Sequence, residues 1–182
     1  MRKGLSFSHV GFYVCDIQRM ARFYTELLEF TITDSGKLTG PSGDLELIFL
    51  SRDPQEHHQI VLATGRPDTS GFNVINQISL RADSLATLKG LYARLTDAGA
   101  TDIHPITHGN AVSIYARDPE GNRLELFIDT PWYVSQPMRV PVDFSQPDDV
   151  LMAAVEAHAR QLPGFEPRAT WQARMAERMG MQ

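Results

Sequence analysis

The side chains able to do chemistry are few, and they fall at matching places in two halves of the chain. Histidines stand at His9, at the adjacent pair His57 and His58, and at His108. Gln77 opens the second half, Ser113 and Tyr115 follow His108, and the carboxylate of Glu125 sits inside the apolar run RLELFI. Imidazoles titrate near neutrality and bind metals. A carboxylate among aliphatic residues needs a partner. Taken singly, each has an ordinary alternative: a hydrogen-bonded strand histidine, a Glu–Arg pair, an exposed His-His turn, a loop His108, a strand-packing Tyr115. Several imidazoles, an amide and a carboxylate converging on one cavity give the set its weight.

The elements that must position them come from hydrophobic periodicity. Alternation marks Phe7–Val14 as a strand, and Asp16 opens a helix with Ile17, Met20, Tyr24, Leu27 and Leu28 at helical spacing. Strands are expected at Thr31–Asp34, Leu45–Leu50 and His58–Ala63, with turns at GPSG (Gly40 to Gly43) and Asp53-Pro54. The turn-rich GRPDTSG, Gly65 to Gly71, links to a second half that restarts the order. There Val74–Arg81 reads as a strand, Ser84–Ala98 as a helix, and Asp102–Thr107, Ala111–Ala116 and Asn122–Ile128 as strands. The helices superimpose at an offset of 68 residues (Ile17 on Leu85, Tyr24 on Tyr92), and Arg52-Asp53-Pro54 matches Arg117-Asp118-Pro119 at an offset of 65.

A repeated unit of this kind is a duplicated module. The expected fold is α+β: paired βαβββ modules, residues 5–64 and 72–130, forming a concave, partly open mixed sheet with outer helices. Residues 131–182 form a Pro-rich and helical tail, with helices near Asp149–Gln161 and Thr170–Met179. Trp132, Tyr133, Phe144 and Trp171 suggest that this tail lies on its own barrel or on a second subunit.

Alternation also sorts faces. Val10, Phe12 and Val14 belong under the first helix, which leaves His9 and Gly11 facing the cup; Gln77, Ser79, Glu125 and Phe127 face it from the second half. The offset of 65 sets Ile60 opposite Glu125, and His58 shares that parity, so His58 rather than His57 is expected inside.

Composition excludes several functions. Seventeen basic against 22 acidic residues, a net charge of −5, gives no basic face for nucleic acid. One cysteine, Cys15, excludes a disulfide framework and any Cys₂ or Cys₄ zinc site. No apolar run reaches the ~20 residues that span a bilayer, and MRKGLSFSHVGF lacks the pattern of a signal peptide, so a cytoplasmic protein is expected.

The duplicated unit with His9 and Glu125 resembles the vicinal oxygen chelate superfamily, which includes glyoxalase I, fosfomycin and bleomycin resistance proteins, and extradiol ring-cleavage dioxygenases. The segment ITHGNAVSIYARDPEGNRLE, Ile106 to Glu125, is similar to the extradiol dioxygenase signature at His108, Ile114, Tyr115, Asp118, Pro119, Gly121 and Glu125. EHHQIVLAT looks like the paired-His strand of the same enzymes.

The resemblance implies His9 and Glu125 as metal ligands, His58 as the acid/base, and His108 and Tyr115 as residues that hydrogen-bond substrate. Gln77 stands where the family has its second ligand His, a neutral oxygen donor in place of imidazole. The implied activity is metal-dependent ring cleavage of a catechol-like aromatic diol with dioxygen. Fe(2+) is the first cofactor expected, with Mn(2+), Zn(2+) or Mg(2+) as substitutes at a site holding Gln77. The alternatives are a non-redox isomerase or lyase of the glyoxalase kind, and a resistance-type protein that binds an aromatic ligand. The partners expected are the small diol and dioxygen, with room for a homodimer and none for nucleic acid or membrane.

Overall fold

The computed structural model describes residues 4–40, 43–67 and 71–181. The GPSG turn, the centre of the GRPDTSG link and the basic start of the chain lie outside the described residues. The fold is α+β, with open mixed sheets and four helices, and the chain divides into two compact units.

The amino-terminal unit comprises Leu5–Asn76 together with Asp118–Asn122. Strand β1 (Val10–Val14) leads into helix α1 (Ile17–Arg22), which continues as one π-helical stretch over Phe23–Leu27. Asp16 starts the helix because its carboxylate accepts the Arg19 N–H at 2.9 Å, a cap worth about 1 kcal/mol. Strands β2 (Thr31–Gly40), β3 (Gly43–Ser51) and β4 (Ile60–Thr64) complete the unit, in the sheet order β1-β4-β3-β2 with β1 parallel to β4. Met20, Tyr24 and Leu28 are buried with Val14, Ile48, Leu50, Ile60 and Leu62, so one sheet face carries the core.

The carboxy-terminal unit comprises residues 77–117 and 123–181. Its first five elements are β5 (Ile78–Arg81), α2 (Leu85–Asp97), β6 (His104–Thr107), β7 (Ala111–Arg117) and β8 (Arg123–Asp129). Strand β5 runs parallel to β8, and the order β5-β8-β7-β6 repeats that of the first sheet. Leu88 and Leu95 of α2 are buried, as are Val112, Ile114, Leu124 and Leu126 of the sheet.

Both opening strands are shorter than alternation predicts. The first starts at Val10, not Phe7, because its partner β4 starts at Ile60; the second starts at Ile78, not Val74, opposite Leu124. The stubs left over carry Phe7 and Val74 exposed.

The tail folds on its own unit. It contributes β9 (Trp132–Tyr133), β10 (Val140–Pro141), α3 (Asp148–Ala159), β11 (Glu166–Pro167) and α4 (Arg168–Arg178). Strand β10 extends the sheet beside β6, and β9 pairs with β11. Trp132 and Val134 are buried, the Trp132 indole donates to the Gly109 carbonyl at 2.6 Å, and Phe144 packs edge-on against Tyr92. Gly109 has φ +74°, and a Cβ there would meet Val134 at 2.3 Å, so conformation and space both demand glycine.

Candidate functional site

Glu125 is the hub of the carboxy-terminal unit. Strand β8 puts Leu124 and Leu126 into the core and turns Glu125 to the face opposite α2, where it is only 8% exposed. Neighbouring strands supply its partners. Ser79, level with it on β5, donates to Oε2 at 2.7 Å, and the Gln77 amide donates to the same oxygen at 2.8 Å. From β7, Ser113 donates to Oε1 at 3.1 Å and the Tyr115 hydroxyl lies at 3.4 Å. His108 Nε2 also stands 3.4 Å from Oε1. Burial works to raise the Glu125 pKa, yet the bonds from His108, Ser79 and Ser113 outweigh it and hold the carboxyl below its usual range.

His108 is fixed from two sides. Its Nδ1 lies 2.7 Å from the Met138 carbonyl, which can only accept, so Nδ1 carries the hydrogen. In the neutral ring Nε2 is then an acceptor and takes the Tyr115 hydroxyl at 3.1 Å. On protonation Nε2 turns donor toward Glu125, and that bond is the main cause of a raised His108 pKa. Burial and the Glu125 charge raise Tyr115.

These groups open on a cavity of about 340 Å³, within the range of small-molecule sites. Gln77, His108, Tyr115 and Glu125 line it together with Phe127 and four polar residues that sequence reasoning missed: Asn110, Asp129, Gln136 and Arg168. Alternation puts Ser79 on the correct face without marking it as a carboxylate donor; its parity with Gln77 is the signal. Arg168 lies 39 residues beyond its partner Asp129, and no local pattern reports that pairing.

The amino-terminal unit gathers His9, His57 and His58. The rings of His9 and His58 are 4.2 Å apart, edge to face, and His58 also packs against Phe49. His57 Nδ1 lies 2.8 Å from His58 Nδ1, and its Nε2 lies 3.9 Å from Asp34. Burial, then the charges of His9 and His57, lower the His58 pKa. The register argument behind the choice of His58 is corrected. Val10 pairs with Ile60 as Ile78 pairs with Leu124, so Ile60 corresponds to Leu124 and Val61 to Glu125. The first turn, Asp53 to His58, is one residue longer than Asp118 to Asn122, which moves the offset from 65 to 64 on the strand.

Among the described residues no group of three or more His, Cys, Asp and Glu side chains is gathered closely enough to hold a metal. A set counting Gln77 fits better. Two cis ligands with bonds of about 2.1 Å stand roughly 3 Å apart, and the ends of Gln77 and Glu125 are 2.8 Å apart. A half-turn of the amide presents its oxygen instead of its nitrogen. The hydroxyls of Ser79 and Ser113 orient the carboxylate as supporting partners do at metal sites. Carboxylate and amide oxygens suit a hard or borderline divalent cation.

A family profile described as Glyoxalase/Bleomycin resistance protein/Dioxygenase superfamily matches residues 6–126. The chain is 28% identical over 127 residues to biphenyl-2,3-diol 1,2-dioxygenase 2 of Rhodococcus globerulus, covering 68% of this chain and 62% of that one. It is 34% identical over 88 residues to biphenyl-2,3-diol 1,2-dioxygenase 3 of the same organism, covering 46% of each. It thus spans less than two-thirds of the length of both relatives. A glyoxylase/bleomycin resistance protein/dioxygenase domain from Frankia sp. EAN1pec superposes with a TM-score of 0.56 at 22% identity, covering 71% of this chain and all of that one. The fosfomycin resistance protein FosX from Listeria monocytogenes, solved with Mn(II) and sulfate, gives 0.51 at 20% identity, covering 71% and 95%. These two likenesses carry the fold, whereas the profile match identifies the chain as a member of the glyoxalase/bleomycin resistance protein/dioxygenase superfamily.

Proposed function

We propose that this protein is a metal-dependent extradiol-type dioxygenase that opens the ring of a small aromatic diol. The observation that carries the reading is the constellation of His108, Tyr115 and Glu125 around one cavity, formed by the residues that match the extradiol signature. Gln77 and Glu125 supply two of the metal ligands, and His9 is the third on the strength of the resemblance alone. A divalent metal there, Fe(2+) first, supplies Lewis acidity that lowers the pKa of a diol hydroxyl.

The chain's own groups do the rest. His58, neutral near pH 7 because its pKa is lowered, takes the proton from the diol. Tyr115, its hydroxyl within reach of His108 and Glu125, orients the substrate oxygen. His108 Nε2 accepts a hydrogen bond from the Tyr115 hydroxyl when the ring is neutral and donates one when it is protonated, which suits it to stabilise developing negative charge. Phe127 offers an aromatic wall for the ring.

Gln77 favours a second reading, non-redox metal chemistry, because an amide oxygen is a harder donor than imidazole. One experiment separates the two. Protein loaded anaerobically with Fe(2+) or Mn(2+) is mixed with catechol, 2,3-dihydroxybiphenyl and 3,4-dihydroxybenzoate, and oxygen uptake is recorded with the absorbance of ring-opened product. Stoichiometric uptake on at least one of the three is the expected result. Full metal occupancy without uptake on any of them would overturn the dioxygenase reading in favour of the non-redox one.

A further inference from the structure

Strand β8 lays three side chains in a row along the cavity: Glu125, Phe127 and Asp129, every second residue on one face. At the far end from Glu125, Asp129 is clamped by two guanidiniums, Arg168 from α4 and Arg81 from β5, the latter at 3.1 Å. Two cations against one carboxylate leave an excess of positive charge there. Arg123 stands over the Tyr115 ring at 5.6 Å, and Arg139 is close enough to act electrostatically on both His108 and Tyr115. Arg168 lines the cavity itself, and Arg81, Arg123 and Arg139 each act on a residue that lines it, in a chain whose net charge is −5. That local reversal of sign attracts an anion.

We propose that Arg168 and Arg81 form an anion subsite at this end of the cavity, which takes a carboxylate carried by the aromatic substrate. The assignment rests on the ring-cleavage reading for the diol end only. Asp129 fixes the guanidiniums in place, and its contact engages one NH2 donor of the five on Arg168, so the planar fork keeps donors for a second carboxylate. The dimensions agree. Four residues of strand separate Glu125 from Asp129 by about 13 Å. A dihydroxybenzoate is roughly 7 Å long from hydroxyl to carboxylate oxygen, and a hydrogen bond of about 2.9 Å at the guanidinium end with the roughly 3 Å between cis ligands of one metal at the Glu125 end brings it to that span. Phe127 then lies beneath the ring. The substrate class this selects is an aromatic diol acid, not a neutral catechol.

The test compares 3,4-dihydroxybenzoate with its methyl ester, and benzoate with methyl benzoate, by calorimetric titration of the metal-loaded protein. The acid should bind about 10–100-fold more tightly than its ester, the range for a hydrogen bond to a charged group. Arg168→Met should bring that ratio close to one, Arg168→Lys should restore part of it, and Asp129→Asn, which releases both arginines, should raise it. The Asp129→Asn arm works in the opposite direction from a loss of folding. Equal binding of acid and ester by the wild type, or a preference that survives Arg168→Met, overturns the proposal. A preference for benzoate over methyl benzoate without oxygen uptake on any diol keeps the subsite and removes the ring-cleavage reading instead.

Discussion

The two sheets share strand order and a parallel pairing of first and last strand, yet they use their helix-free faces differently. In the carboxy-terminal unit the paired positions on β5 and β8 are Ser79 and Glu125, joined at 2.7 Å. Their counterparts in the amino-terminal unit are Gly11 and Val61, where a Cβ on Gly11 would sit 3.6 Å from that of Val61. Gln77 likewise corresponds to His9. The framework around them repeats in detail. Each Arg-Asp-Pro arginine pairs with an acidic residue at positive φ ahead of the second strand, Arg52 with Glu29 (3.5 Å) and Arg117 with Asp102 (2.9 Å). The core face makes the fold, and the opposite face is left to chemistry.

Making the second unit like the first should have the largest effect. Glu125→Val copies Val61 and removes the carboxylate on which donors from two strands, Gln77 and the His108 loop converge. Divalent metal, read by elemental analysis after gel filtration, should be lost, and turnover should fall by more than the ~10–100-fold that a supporting partner is worth. Full metal retention would place the site elsewhere.

The next effect belongs to the imidazoles. His58→Gln should lower turnover by roughly 10²–10⁴ with metal retained, the range for a general base. His57→Gln should cost about tenfold, since its ring only supports that of His58, at 2.8 Å. Steady-state rates in the reverse order would assign the proton transfer to His57.

Ser79→Gly, the copy of Gly11, sharpens the comparison further. It deletes one donor to Glu125 and should weaken metal binding by about tenfold in a competition titration, with the fold intact by circular dichroism. An unchanged affinity would show that the carboxylate is oriented without Ser79.

The smallest effect concerns the two Arg-Asp-Pro turns. Asp53 is exposed, whereas Asp118 is 4% exposed, with Asn122 and Tyr24 donating to it, and burial raises its pKa. A raised carboxyl favours the folded state below the unfolded pKa of about 3.9, and this contribution is lost as pH rises through the folded value. Asp118→Asn lacks that loss. Its stability relative to wild type, from urea denaturation, should therefore improve between pH 4 and pH 7. A constant difference would mean that Asp118 does not titrate in that window.

Much of this is legible in the chain. Helical spacing in α1 and α2 and alternation in the strands locate every main element, and the face of Glu125 is set by Leu124 and Leu126 on either side. Three features are not legible, each for a physical reason. Alternation cannot report where a partner strand begins, so both opening strands read too long. An extra residue in a turn moves the register of the next strand by one, which displaces the counterpart of Glu125 from Ile60 to Val61. The tail's hold on His108 and Asp129 joins positions 30 and 39 residues apart through a carbonyl and a guanidinium, and neither leaves a periodic trace.

The same hold limits how hybrids can be built. The Met138 carbonyl fixes the His108 ring, Val134 fills the space above Gly109, and Arg168 reaches Asp129. A chimera cut after Asp129 would carry a complete βαβββ module and an incompletely formed pocket. The smallest piece that keeps these contacts together runs from Gln77 to at least Arg168, so the unit of exchange is longer than the unit of duplication.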